Sequence, residues 1–503
     1  MIDSPAQLQG RIDALTATVR AAADAQAGLW NPRIDRAAFR PSAHNLASYL
    51  AVRRHDLRPL QRPLMALGLS SLGRLEGRVL PNLGAVSHAL AGLAGTATGD
   101  PVPSWEFFAG ETRLDANTRE IFGSATAIAL LVTCPAEAAD SGEFMMAMAK
   151  RRVTAVRINC AHDTPEKWAS MIAYVKAAEL ATGHRMAIFM DLAGPKIRTG
   201  QVHRPGRSHA SAKRHRRAYR GDLIALTAIG DLHRADVAGR HFAVECTEAE
   251  PLRVSHQGDC VMLDDGRLVA TIERVADWGV VARVTTVADE GVAIKPEKGL
   301  NFPDRQLDIP ALTPRDRHDL AFVCAHADAV AFSFVQSADD VVELQTAMAV
   351  LRPDDWQTMP MILKIETARG VANLPEIIVQ AAGRQPTAVM IARGDLAVEI
   401  GFARTAEIQE EILWLGEAAD VPVIWATQVL GDLIAHGMPS RGEMTDAAMA
   451  ARAECVMLNK GPHLNTAIDQ LQALLARMHD NQHKKTPGLR ALKSWNVPGA
   501  ATA

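Results

Sequence analysis

From residue 126 to residue 459 the sequence repeats one unit, a short apolar, β-branched run followed by an amphipathic stretch. The runs fall at 126–133, 153–159, 186–191, 328–334, 360–366, 387–393, 421–427 and 454–459. Runs that are apolar on both faces belong to parallel strands covered by crossover helices. About eight such units close a TIM barrel. The predicted fold is therefore α/β, built on a (β/α)8 barrel.

The rhythm breaks once. Residues 199–298 are too long for a βα loop, and they hold strand-like segments with turn residues: GDLIALTA, GDCVMLDDGRLVATIERV and GVVARVTTV. They predict an inserted β domain, which on this face would hang over the strand ends as a lid. Its basic stretch at 203–221 reads as a solvated loop in preference to a phosphate holder. Ahead of the barrel, Leu57, Leu60, Leu64 and Leu67, then Leu72, Leu75, Val79, Leu83, Val86, Leu90 and Leu93, stand at helical spacing, with Pro81 expected to kink the second run. The expected organisation is a helical extension at 1–118, barrel at 119–198, lid at 199–298, barrel again at 299–482 and a tail at 483–503.

Composition limits the partners. With 503 residues, 48% of them hydrophobic, the chain has material for more than one buried core. A net charge of -3 gives no chain-wide reason to expect nucleic acid or a membrane surface. The first residues carry acids in place of a basic tip and apolar block, so no secretory signal is expected. Every apolar stretch is interrupted before the roughly 18 residues that span a bilayer. The six cysteines lie far apart without a C-x-x-C pair, which predicts free thiols in a reducing compartment, the cytoplasm.

In such a barrel the chemistry sits at the carboxyl ends of the strands. Polar residues fall there: Arg157, Asn159, Asp191, Ser333, Lys364, Glu366, Arg393, Asp395, Thr427 and Gln428. The strand period of two puts Arg157 with Asn159, and Lys364 with Glu366, on one side. Glu366 and Asp395, on adjacent strands, can hold magnesium, which takes one or two carboxylates plus substrate oxygens. Histidine and cysteine are missing from these ends, against zinc. Lys364 can neutralise transferring phosphoryl oxygens, and Arg157 and Arg198 can clamp phosphate with planar forks. A salt bridge is the plain alternative for either acid alone.

Several segments resemble pyruvate kinase, in family order over about 350 residues: RINCAHD at 157–163, DLAGPKIRTG at 191–200, VMLDDG at 261–266, KGLNFPD at 298–304, SFVQSADDV at 333–341, LKIETARGV at 363–371, MIARGDLAVEIG at 390–401, WATQVL at 425–430 and PSRGEMTDAAMA at 439–450. The resemblance implies a barrel with a mobile β lid, binding phosphoenolpyruvate and ADP or ATP between them. It implies Mg2+ or Mn2+ on Glu366 and Asp395, Lys364 as the catalytic cation, and substrate or nucleotide contacts from Arg157, Asn159, His162, Arg198, Ser333, Gly394, Asp395 and Thr427. Thr427 would lie beside the proton-delivery route. A homo-oligomer, dimer or tetramer, is expected.

Departures cluster at the monovalent-cation site. Ala161 and Leu192 stand where potassium-using members carry hydroxyl residues, and Lys196 stands where glutamate is usual. An ammonium there can supply the charge of potassium, so K+ is not expected to be required. Ala193 replaces a common lysine, Asp163 replaces a glycine, and NKGPH at 459–463 replaces SGETA; Lys460 can restore the charge lost at Ala193. The C-terminal effector domain of the family is expected to be missing. Two other functions stay open on these residues: a magnesium-dependent pyruvate-enolate lyase or aldolase, and a non-catalytic sensor of phosphoenolpyruvate or nucleotide.

Overall fold

A computed structural model of the chain describes residues 4–123, 128–203, 217–235, 242–479 and 482–487. Residues 204–216, most of the basic stretch, and 488–503, most of the tail, lie outside them.

The barrel strands are β1 (Ala129–Thr133), β2 (Ala155–Asn159) and β3 (Ala187–Asp191). The lid follows with β4 (Thr199–His203), β5 (Arg217–Ala218), β6 (Leu223–Ala228), β7 (Phe242–Cys246), β8 (Cys260–Leu263), β9 (Leu268–Ala276), β10 (Gly279–Val287), β11 (Val292–Ala293) and β12 (Leu300–Asn301). The barrel resumes with β13 (Ala329–Phe332), β14 (Met361–Ile365), β15 (Thr387–Ala392), β16 (Val423–Ala426) and β17 (Cys455–Leu458). The barrel strands close in chain order, β17 pairing back onto β1, all parallel.

The alternation of side chains explains both the core and the site. Ala129, Leu131, Ala155, Ala187, Phe189, Ala329, Ala331, Ile362, Ala388, Met390, Ile424 and Ala426 form the inner cluster, while neighbours such as Leu130, Val156, Ile188 and Leu363 pack outward against the helices. Small residues dominate inside because eight converging strands leave little room. Continuing the inward parity by one step brings up Thr133, Arg157, Asp191, Ser333 and Lys364, the first polar layer above the apolar one.

The amino-terminal region forms α1 (Pro5–Trp30), α2 (Arg40–Val52), α3 (Arg58–Ala66), α4 (Val79–Ala94), α5 (Ser104–Phe107) and α6 (Ala109–Phe122). α1 starts with Pro5 behind a Ser4–Gln7 capping box and buries Leu8, Ile12, Val19 and Ala23 against α2 and α4. The expected kink at Pro81 is not seen. Pro81 lies in the first turn of α4, where its missing N–H breaks no helical bond, and Leu72 and Leu75 lie in the irregular segment before it.

This region is docked on the barrel. Ile121 and Phe122 of α6 join the inner cluster and close the barrel floor, Phe122 meeting the Phe189 ring at 5.7 Å between centroids. Trp30 Nε1 donates to Glu376 at 2.8 Å, Asn45 donates to the Ala418 carbonyl at 2.8 Å, and Ser42 and Arg113 both donate to Asp420, at 2.7 and 2.6 Å. The carboxy-terminal hairpin 482–487 closes the same side, Lys484 pairing with Glu454 and Lys485 with Glu76.

The lid is a seven-stranded sheet in the order β12-β8-β9-β10-β6-β7-β4, around Ile224, Leu226, Val244, Val261, Ala270 and Val280. Its two connections to the barrel are joined to each other. Arg198 bridges Gly299, Thr199 N donates to the Lys298 carbonyl at 2.8 Å, and Leu300 N donates to Ile197 at 2.9 Å.

Candidate active site

Asp191, at the end of β3 and buried, is the hub of the polar layer. Its Oδ2 accepts from Arg157 Nε at 2.7 Å and from Arg157 Nη2; its Oδ1 accepts from Ser333 Oγ at 3.1 Å and faces Lys364 Nζ at 3.2 Å. Burial pushes this carboxyl up, but Arg157 and Lys364 outweigh it and hold it below its usual range. The sequence placed Asp191 at a strand end without a role; its sharing by three partners was not legible there.

Lys364 is wholly engaged. Its Nζ donates to Ser333 Oγ at 2.6 Å and pairs with Glu366 Oε1 at 3.1 Å. Burial would lower the ammonium's pKa, yet Asp191 and Glu366 raise it on balance, so the lysine stays charged. Glu366 Oε2 accepts from the backbone N–H of Phe334 at 2.6 Å. Burial first, then the nearby Asp395 and Asp191, push the Glu366 carboxyl up against the pull of Lys364.

Asp395 lies in the first turn of the helix Arg393–Ile400, which starts where β15 ends. Its influence on Glu366 means that the two carboxylates share one field. Among the described residues no group of three or more His, Cys, Asp or Glu is arranged to hold a metal. A pair of carboxylates flanked by cations fits a hard ion that completes its shell with substrate oxygens and water, as magnesium does.

Lys196 reaches into this pair from the loop after β3. Its Nζ donates to Asp395 Oδ1 at 2.6 Å and lies 3.4 Å from Asp265 Oδ1 on the lid. Asp191 is shared as described, Asn159 Oδ1 accepts from Ala161 N at 3.0 Å, and Leu192 is buried and apolar.

Thr427 sits at a strained corner, with φ of 61° followed by 57° at Gln428. Its Oγ1 accepts from Gly394 N at 2.8 Å. Arg393 fixes the corner: it donates to the carbonyls of Ala426 and Thr427 at 3.0 and 2.7 Å, pairs with Asp446, and lies 4.6 Å over the Trp425 ring. Asp446 and Trp425 were not identified from sequence, though both fall within motifs that were.

A second group of cations stands beside the first. Partial burial, then Lys460, Arg198 and Arg157, hold the His162 imidazole below its usual pKa. Arg198 Nη1 donates to the Glu297 carbonyl at 3.2 Å. Next to Lys460 lies a cavity of 480 Å³ lined by Pro135, Glu137, Phe144 and Leu464. Asp163, where the resemblance expects glycine, has φ of 64° and pairs with Lys167 at 3.5 Å.

Comparison with known proteins matches residues 128–463 to the family model described as pyruvate kinase, barrel domain. The chain is similar to proteins named pyruvate kinase from Aeropyrum pernix, 30% identical over 332 residues and 65% of each chain, and from Thermococcus litoralis, 30% over 363 residues and 70% of each. It is similar also to that of Mycobacterium intracellulare, 28% identical over 357 residues and 70% of each. The matched region thus spans 65 to 70% of the length of these relatives.

Proposed function

The chain belongs to the pyruvate kinase family, and from that premise we propose that it transfers the phosphoryl group of phosphoenolpyruvate to ADP, giving pyruvate and ATP, with Mg2+ or Mn2+ as cofactor. The observation that carries this reading is the buried, charged Lys364 held between Asp191 and Glu366 at 3.2 and 3.1 Å. So much charge is costly to bury, and phosphoryl transfer is the chemistry that uses it.

In this reaction the bond from phosphorus to the enol oxygen breaks, a bond from phosphorus to a terminal oxygen of ADP forms, and the enolate carbon gains a proton. A divalent ion held by Glu366 and Asp395 would supply charge to the phosphoryl and enol oxygens. Lys364, oriented by Ser333, would face the same oxygens with a permanent ammonium. Arg157, braced on Asp191, would hold the phosphate with the rest of its fork. Thr427 accepts one hydrogen bond and keeps its own hydroxyl proton to offer, and the Arg393 brace would set it against the enolate carbon. His162, Arg198 and Lys460 would meet the nucleotide phosphates, with Asn159 beside them, and the adjoining cavity is large enough for a base.

Potassium independence is part of the proposal. Lys196 places one permanent positive charge within reach of both Asp395 and Asp265, which is the charge a potassium ion would bring. Six free cysteines suit a reducing cytoplasm, and no helix among the described residues is long and apolar enough to cross a membrane. A homo-oligomer is proposed from the family resemblance; light scattering that returns the single-chain mass of 54.2 kDa would overturn it.

The test is pyruvate formation from phosphoenolpyruvate, ADP and magnesium, without and with potassium. Equal turnover supports both readings, stimulation by potassium removes the second, and no turnover with any nucleoside diphosphate removes the first in favour of lyase or sensor.

A further inference from the structure

Three segments meet where the barrel hands the chain to the lid: residues 195–198, residues 298–300, and the turn Asp264–Gly266 between β8 and β9. The turn is tied to the return segment, for Asp264 N donates to the Gly299 carbonyl at 3.0 Å and Lys298 Nζ pairs with Asp264 at 2.7 Å. Asp264 and Asp265 have φ of 53° and 55°, a left-handed conformation that persists where the surroundings hold it. That conformation brings the Asp265 carboxylate to Lys196. Gly299 lies close to both: a Cβ there would be 3.1 Å from Lys196 Cε and 3.3 Å from Asp265 Oδ1, so the two side chains would have to give way slightly.

Lys196 is therefore one cation shared by two carboxylates on different bodies. It leans to the barrel, 2.6 Å from Asp395, and leaves the lid carboxylate at 3.4 Å. Asp395 is also a candidate metal ligand. A dication and an ammonium on one carboxylate repel each other. The displaced ammonium has Asp265 waiting beside it.

We propose that Lys196 is a relay between divalent-metal occupancy and the lid: it pairs with Asp395 and is driven onto Asp265 when a metal binds there. The proposal rests on the reading of Glu366 and Asp395 as metal ligands. Through the relay, metal binding strengthens the attachment of the lid turn, and by reciprocity the lid turn favours metal binding. Lys196 is here a positioning residue, acting on the metal through Asp395 and on the lid through Asp265.

The experiment is binding of Mn2+ alone to the intact chain, followed by electron paramagnetic resonance, for the unaltered protein, Lys196→Met, Asp265→Asn and the double variant. Removal of the competing ammonium tightens Mn2+ binding about tenfold, and loss of the lid carboxylate weakens it by a similar factor, within the usual range of coupling between sites. The double variant discriminates the relay from charge acting through space. With the lysine gone Asp265 has nothing to hold, so Lys196→Met and the double variant bind alike, within about twofold, whereas independent charges multiply their effects. Multiplying effects, or an unchanged affinity in Lys196→Met, overturn the relay while leaving the metal reading intact. Absence of Mn2+ binding in all four chains overturns the metal reading and the relay with it.

Discussion

Lys364 and Arg113 are both cations beside a buried aspartate, yet their removal has different consequences. Lys364→Met takes the ammonium from the place where phosphoryl charge would develop; turnover is expected to fall by about 10³-fold, with the fold retained by circular dichroism, since Asp191 keeps Arg157, and with Tm lowered by the buried Glu366 left without its cation. A variant retaining most of its kcat would refute the role. Arg113→Ala instead strands Asp420, whose side chain is fully buried and whose pKa burial raises to about 6 despite Arg113 and Ser42. Breaking such a pair costs about 3 kcal/mol, measurable by urea unfolding at pH 8, and less at pH 5 where the carboxyl is neutral in the fold. A raised carboxyl pKa means that the native state binds the proton more tightly than the unfolded chain does. Its contribution to stability is thus full below about pH 4 and lost as the pH rises to about 6. Asp420→Asn should flatten that part of the stability profile; an unchanged slope would show that other groups set it. Asp191, Lys364 and Glu366 were legible because they continue a strand's inward parity, whereas Asp395 stands in the helix that follows β15. Asp420 was not legible, since one aspartate before a strand gives no sign that two distant helices will converge on it.

At the level of elements, the strands were readable and the helix limits were not. Short apolar runs such as MILKI and TAVMIA, at regular intervals between amphipathic stretches, read as strands covered on both faces, and they are. The stripe from Leu72 to Leu93 has helical spacing throughout, but periodicity does not show where a helix starts. Leu72 adopts φ of 58°, and the helix waits for Val79. The lid was inferred from length and turn residues, but nothing local revealed that its Asp264–Asp265 turn meets Lys196. α6 has the clearest element-scale consequence. Phe122 fills the barrel floor against Phe189, and Phe122→Ala is expected to destabilise the fold by about 3 to 5 kcal/mol. A change under 1 kcal/mol in chemical denaturation would mean that the floor closes without it.

Across the whole molecule, the amino-terminal helices and the carboxy-terminal hairpin are built into one body with the barrel. Trp30 reaches Glu376 across 346 positions, and Ser42 reaches Asp420 across 378. Calorimetry should therefore show the helices and barrel melting in one transition, with any separate event confined to the lid; helices that melt apart at lower temperature would contradict this docking. The same separations bear on how the chain is made. Helices α1 and α2 leave the ribosome ahead of the barrel, and the surfaces that receive them are synthesised more than 300 residues later. At the usual pace of translation that is an interval of roughly half a minute. During it, the early helices have only one another for cover, and an interrupted message would release them with their barrel-facing side bare. The features that fasten this region so firmly in the finished protein make the nascent chain a natural client for chaperones.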